Sequence, residues 1–203
     1  LEIENKIYFG KTLNDSIGIS VVIVNYNIRD LVDSCIASVY RASGNYNVKV
    51  FFVDNHSVDN SFEYITKKYP DVVGIYNNKN LGFSKANNIA LKQVTGKYVL
   101  ILNPDTVLEE GTFEKLIDFI DTHPQTGAVT SKLILGNGKL DSACRRSFPT
   151  LSAALPRMLG LSKLFPKSKL FSKYNLTYLD ENETTEVDAI CGAFMFMKKD
   201  VLD

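Results

Sequence analysis

Ile19–Asn25 (ISVVIVN) is a mostly apolar run rich in β-branched residues. Such a run predicts a strand covered on both faces, as in parallel sheets. Apolar residues then fall at Ile28, Leu31, Val32, Cys35, Ile36, Val39 and Tyr40, the steps of an amphipathic helix. The alternation repeats along the chain. Val48–Val53 reads as a second strand, ending in Asp54-Asn55-His56-Ser57, and a helix from about Asn60 to Tyr69 follows it, with Asn60 and Glu63 spaced as a capping box. Val72–Tyr76 reads as a third strand, Ser84–Val94 as a helix, Tyr98–Leu102 as a fourth strand, and Phe113, Leu116, Ile117 and Ile120 mark another helix. Gly127–Leu135 and the stretch from Lys139 flank Gly136-Asn137-Gly138, a hairpin signal. Val187–Lys198 reads as a last, mostly apolar strand.

Strands alternating with helices imply βαβ units and a mostly parallel sheet, an α/β fold. Ligands of such sheets bind off the carboxyl ends of the strands. Three of the first four strands end in polar clusters: Asn25-Tyr26-Asn27, Asp54-Asn55 and Asn103-Pro104-Asp105. Each has a plain structural reading and a functional one. Asp54 with Ser57 can cap the following turn, or its carboxylate can accept from the imide N–H of a pyrimidine on which Tyr26 stacks. Asn103-Pro104-Asp105 is good turn chemistry, and also a set of hard oxygen ligands for Mg²⁺ or Mn²⁺ whose shell substrate phosphates would complete. Asn80-Leu81-Gly82-Phe83-Ser84 opens a helix whose N-terminus suits a phosphate, yet it has neither Walker nor dinucleotide-fingerprint spacing.

Composition narrows the partners. Of 203 residues, 45% are apolar and 23% charged, and the formal net charge is zero, so bulk charge points to no nucleic-acid role. No apolar run approaches the ~20 residues that cross a bilayer. Cys35, Cys144 and Cys191 match neither a disulfide framework nor a zinc pattern, which makes a reducing cytoplasm the expected compartment. Leu1-Glu2-Ile3-Glu4 lacks a signal-peptide start and an initiator Met; residues 1–18 are expected to be an extension and 19–203 the domain. His56 and His123 lack metal-ligand companions in sequence and are expected to be structural, as are Cys144 and Cys191.

Together VVIVNYN, VDNHSVDNS, NNKNLGFSKANNIAL, LILNPDT and VDAICGAFMFMKKDVL resemble, in order, the inverting glycosyltransferases of family 2, which have the GT-A fold, and among them the rhamnosyltransferase-like branch. The resemblance runs from about Ile19 to the chain end. It implies a nucleoside diphosphate sugar donor, a UDP- or dTDP-sugar, and a glycan or lipid-linked acceptor. It implies that Asn25, Tyr26 and Asp54 line the base pocket, and that Asn80, Gly82 and Asn88 sit by the ribose and diphosphate. Asn103 and Asp105 stand at the family's D-x-D motif, with Asp105 on Mg²⁺ or Mn²⁺. Asp188, Gly192 and Ala193 fall where sugar and acceptor approach.

The family's catalytic base usually lies in an acidic motif beyond this last strand, so it is expected past Asp203; Asp200 and Asp203 come too early, and Asp188 is the internal candidate. The chain is thus expected to be a glycosyltransferase that transfers the sugar with inversion but is cut off before its base, a loss that would let donor binding survive while transfer fails. A nucleotidyltransferase would place a Gly-rich basic loop after the first strand, where this chain has Asn25-Tyr26-Asn27-Ile28-Arg29. A non-catalytic nucleotide-sugar-binding fragment is the other alternative. Finally, Ser142–Leu179 contains no Asp or Glu but carries Arg145, Arg146, Arg157, Lys163, Lys167, Lys169 and Lys173, interleaved with leucines and phenylalanines. Such a segment suits either peripheral contact with an anionic membrane surface or a solvated excursion bordering a small core. Pro156, Gly160 and Pro166 argue against one long helix.

Overall fold

The computed structural model describes residues 18–202 and the backbone of a strand at Lys6–Tyr8. The rest of the expected extension, and Asp203, lie outside the described residues. Two compact units emerge: Leu1–Val129 with Met195–Asp203, and Thr130–Phe194. In chain order the strands are β1 (Lys6–Tyr8), β2 (Ile19–Asn25), β3 (Val48–Asp54), β4 (Val73–Tyr76), β5 (Tyr98–Leu102), β6 (Ala128–Val129), β7 (Arg145–Arg146), β8 (Ala189–Ile190) and β9 (Phe194–Lys198). The α-helices are α1 (Arg29–Ala42), α2 (Ser61–Lys68), α3 (Phe83–Leu91), α4 (Thr112–Thr122), α5 (Leu151–Met158) and α6 (Leu161–Leu164).

The large sheet runs β1-β4-β3-β2-β5-β9-β6. Its centre, β4-β3-β2-β5, is parallel, while β1 on β4 and β6 on β9 are antiparallel. Every residue of β2 is buried, as its apolar run requires. One sheet face carries Val22, Val24, Phe51, Val53, Val73 and Ile75, packed with Ala86 and Ala90 of α3. On the other face Phe62 of α2 stacks on Phe52 at 6.3 Å and meets Tyr76 edge-on at 5.3 Å. Gly74 lets α2 lie that close: a Cβ there would stand 2.7 Å from Thr66 Cγ2 and 3.2 Å from the Phe62 ring. Helices therefore cover both faces, the doubly wound arrangement.

Several expected boundaries shift. The Asn60–Glu63 capping box does not form. Asn60 is left-handed, φ 59°, with no side-chain cap, and α2 starts one residue later. Asp59 caps it instead, its Oδ1 accepting from the Ser61 N–H at 3.0 Å and from the Ser61 hydroxyl. The same carboxylate's Oδ2 accepts from Arg29 N–H at 3.0 Å, so one side chain ties the starts of α1 and α2. The single strand expected over Val187–Lys198 is two, in different sheets, separated by a turn closed by Phe194 N–H to Cys191 C=O at 3.3 Å. The hairpin expected around Gly136–Gly138 keeps its turn, with Leu135 and Lys139 bonded at 2.8 Å and one bridge between Ile134 and Leu140, but its long arms are absent: only Ala128–Val129 is strand.

The second unit pairs β7 with β8 antiparallel, Arg145 against Ile190. Arg145 donates to the Leu179 and Asp180 carbonyls, both at 2.8 Å. Gly160, at φ +75°, separates α5 from α6, so the segment forms two short helices and not one long one. Among the described residues no helix is long and apolar enough to cross a membrane.

Candidate functional site

From β2 the chain moves outward to β3 and β4, then returns to pair β5 on the other side of β2. The strand order reverses there, and the crevice outside the carboxyl ends of β2 and β5 is where open α/β sheets bind ligands. Register fixes what lines it. Asn25 lies opposite Asp54, Asp54 opposite Tyr76, and the end of β5, Leu102, beside Ile23. Asn103-Pro104-Asp105 thus leaves the sheet next to the Asn25 end of β2. Two halves of the crevice follow, one off β2–β4 and one off β5.

On the first half, polar side chains bond one another. Asn25 Nδ2 donates to Asp54 Oδ2 and to Ser57 Oγ, both at 3.1 Å. Ser57 N–H donates to Asp54 Oδ1 at 2.7 Å, and Asn27 N–H to Ser57 Oγ at 2.9 Å. Asp54 is wholly buried, so in this conformation its carboxylate caps the turn, the plainer of its two readings. Tyr26, beside it, is half exposed at 49%, its ring open to a stacking partner. Three of the four non-glycine residues with positive φ among the described residues, Asn27, His56 and Asn60, sit in these loops. Backbone strain is concentrated there, as it tends to be at ligand sites.

The sequence placed Asn55 in a polar strand-end cluster without giving it a task. Its buried amide Oδ1 accepts from Leu81 N–H at 2.9 Å and Asn77 Nδ2 at 3.2 Å, while its Nδ2 donates to Asn80 Oδ1 at 2.8 Å. Asn80 Oδ1 also accepts from Gly82 N–H at 2.9 Å. Asn55 therefore pins the Asn80–Gly82 loop to the end of β3. Gly82, at φ +76° and ψ 169°, takes a conformation open mainly to glycine, and Asn80, Gly82 and Asn88 are exposed. The only sequence sign was an Asn following a buried Asp at a strand end. The buried Oδ1 atoms of Asn25 and Asn77 have no hydrogen-bond partner among the described residues. The strand ends thus hold more acceptors than the described chain satisfies, an arrangement that costs about 1–3 kcal/mol per group.

On the second half, Thr106 N–H bonds Asn103 C=O at 3.2 Å, making a turn that leaves Asp105 exposed. Ser38 of α1 holds the loop, its Oγ accepting from Leu108 N–H at 3.0 Å. Cys35 sits beneath, its thiol 3.5 Å from Asn103 C=O. Burial, and secondarily the Asp105 charge, push that thiol up to about 12, so it is a neutral packing group and not a thiolate ligand. Among the described residues no group of three or more His, Cys, Asp or Glu side chains is placed to hold a metal ion by itself. The donor set is one carboxylate and neighbouring oxygens, which fits Mg²⁺ or Mn²⁺ only where substrate phosphates and water fill the shell.

The remaining expected residues are elsewhere. Asp188, exposed, accepts from Phe148 N–H at 3.0 Å, and Gly192 and Ala193 lie in the turn between β8 and β9, all in the second unit. His56 Nδ1 is 3.2 Å from Tyr76 OH. His123 stacks on Phe119 at 4.2 Å and closes α4 through its Nδ1, 2.9 Å from Phe119 C=O, a structural arrangement.

A doubly wound sheet whose polar strand ends converge on its switch point defines a GT-A-like α/β fold. The chain belongs to Glycosyl transferase family 2, whose sequence pattern matches residues 20–203. It is 35% identical over 109 residues to the minor teichoic acid biosynthesis protein GgaB of Bacillus subtilis strain 168, covering 51% of this chain and 12% of that protein. It is 26% identical over 188 residues to the poly-β-1,6-N-acetyl-D-glucosamine synthase of Staphylococcus aureus strain MSSA476, covering 85% of this chain and 44% of the synthase. The chain thus spans less than half the length of these relatives. Two solved structures share the fold. One is S. aureus TarS 1–349 in complex with UDP-GlcNAc, with TM-score 0.54, 21% identity, and coverage of 79% of this chain and 52% of that one. The other is the mannosyltransferase PcManGT from Pyrobaculum calidifontis in complex with GDP-Man and Mn²⁺, with TM-score 0.51, 22% identity, and coverage of 58% and 35%.

Proposed function

We propose that this chain carries the donor site of a glycosyltransferase that takes a pyrimidine nucleoside diphosphate sugar with Mg²⁺ or Mn²⁺ and passes the sugar, with inversion, to a glycan or lipid-linked acceptor. One observation carries the reading: Asn25, Asp54 and Asn103–Asp105 stand at one edge of the sheet, at its switch point. Family membership and relatives named for teichoic acid and poly-N-acetylglucosamine synthesis support it.

Each residue has a task. The exposed Tyr26 ring stacks on the base. Asp54 fixes Asn25 and the 54–57 turn, and each of its oxygens keeps a second lone pair that a shift of the exposed 56–58 turn would bring to an imide N–H. The Asn80–Gly82 loop and Asn88 meet the ribose and diphosphate. Asp105, with Asn103 beside it, holds the cation, which when bound would offset charge on the departing nucleoside diphosphate. During transfer the acceptor oxygen bonds the anomeric carbon as the bond to the diphosphate oxygen breaks, and a base takes the hydroxyl proton. Asp188, Gly192 and Ala193 belong to the sugar and acceptor side by their place in the motif order. The same order supports a rhamnosyltransferase-like donor as the finer assignment.

Thermal melting with UDP, dTDP and GDP, with and without Mn²⁺, tests the site. A pyrimidine diphosphate at about 100 times its Kd should stabilise by about 2.7 kcal/mol. No shift with any of the three would refute the donor site, and a shift with GDP alone would refute the pyrimidine assignment. UDP-GlcNAc against dTDP-rhamnose then reads the sugar.

A further inference from the structure

The second unit buries the wrong side of a helix. At 100° per residue, Leu151, Leu155, Met158 and Leu159 fall within an arc of about 100° on and just past α5. That stripe normally faces a core. Here it faces out: Leu151 is 81% exposed, Met158 82% and Leu159 66%. The buried residue is Ala153, on the opposite side, where Arg157 lies 4.4 Å over the Tyr174 ring and anchors the helix to its unit. Beyond Gly160, Leu164 and Leu170 are also about 70% exposed.

Cations follow this apolar surface along the chain. Lys163, Lys167, Lys169 and Lys173 are exposed, form no ion pair among the described residues, and belong to the stretch Ser142–Leu179 that has seven cations and no acid. A protein partner or a second copy would match a greasy stripe, but neither explains why a neutral chain excludes every carboxylate from 38 consecutive residues. A bilayer with anionic headgroups explains both, because apolar side chains enter the acyl boundary while lysines reach lipid phosphates.

We propose that the α5–α6 surface docks on an anionic lipid bilayer, with the Leu151, Leu155, Met158 and Leu159 side chains inserted at the headgroup boundary and Lys163, Lys167, Lys169 and Lys173 on the headgroups. This stands independently of the donor reading, since no residue assigned to nucleotide or sugar takes part.

Flotation of the full chain with phosphatidylglycerol–phosphatidylcholine vesicles, against pure phosphatidylcholine, tests it. Binding is expected on the anionic vesicles only. It should weaken about fivefold for each lysine replaced by serine. It should also weaken as salt rises from about 0.1 M to about 1 M, where screening shortens from about 10 Å to about 3 Å. The triple variant Leu151→Ser, Met158→Ser, Leu159→Ser should bind at least about tenfold more weakly. These side chains are exposed, so its melting temperature should match wild type. No binding to anionic vesicles would overturn the proposal. So would unchanged binding of the triple serine variant, or a dimer in sedimentation that this variant dissociates, which would mean that a second copy covers the stripe.

Discussion

An amide oxygen and a carboxylate oxygen differ by a full negative charge, and that difference separates Asn103 from Asp105. Asp105 is exposed in the turn after β5 and, on the proposed function, would supply the charge for a divalent cation. Replacing Asp105 with Asn should weaken Mn²⁺-dependent nucleotide binding by about tenfold or more, whereas Asn103→Asp should not weaken it; calorimetric titration with and without Mn²⁺ reads both. Asn55 is a different kind of residue, one that acts through a loop. Asn55→Ala removes the acceptor for Leu81 N–H and the tie to Asn80. It should cost about 1–3 kcal/mol in denaturant unfolding and should loosen nucleotide binding as well. Sequence made Asn25, Asp54 and Asp105 visible because polar residues ending an apolar strand stand out. Asn55 stood out in the same way, but not its task of pinning a loop, because its partner Asn80 lies 25 positions away and comes near only once β3 and β4 pair.

Helices and strands were legible where one period dominated. The mostly apolar β2 and the three-and-four spacing of α1 appear as read, within a residue or two. Val187–Lys198 misled because apolarity alone does not say which sheet a run joins, and Cys191-Gly192-Ala193 turns the chain between two. Packing between elements yields its own expectations. Gly74→Ala would drive a methyl into Thr66 and should destabilise by about 1–3 kcal/mol; adding Thr66→Ser, which removes Cγ2, should restore part of the loss. Asp121 of α4 accepts from Lys97 Nζ at 2.9 Å and Tyr98 OH at 2.6 Å, and Lys198 Nζ of β9 lies 3.3 Å away. Lys97 first, then Tyr98, lower its pKa to about 2. A carboxyl depressed in the folded state stabilises above its unfolded value, near 3.9, and loses that contribution as pH falls through the folded one. Wild type should therefore exceed Asp121→Asn by about 1 kcal/mol at pH 7, screened because the group is partly exposed. The gap should shrink below about pH 4 and close near pH 2 in urea melts followed across pH.

At the scale of the whole molecule, charge and topology say different things. Net charge is zero, so no global field selects a partner, and the local excess of seven cations was visible only by counting along Ser142–Leu179. Whether that excess was solvated or attached to an exposed apolar stripe could not be read from spacing, because Leu151, Leu155, Met158 and Leu159 would have the same pattern facing a core. Topology was more legible: alternating strands and helices implied a parallel sheet, and strand ends rich in Asn and Asp implied its working edge. The switch point itself required the strand order, since sequence does not say on which side of β2 the chain places β5.

On the proposed function, nucleotide binds off the carboxyl ends of β2, β3 and β5. Amide hydrogen exchange with and without UDP and Mn²⁺ tests it most directly. Added protection is expected at residues 25–28, 54–58, 80–83 and 103–106, with little change on α4 or at the outer edge of the sheet. Protection confined to those other surfaces, or none anywhere at saturating UDP, would contradict it.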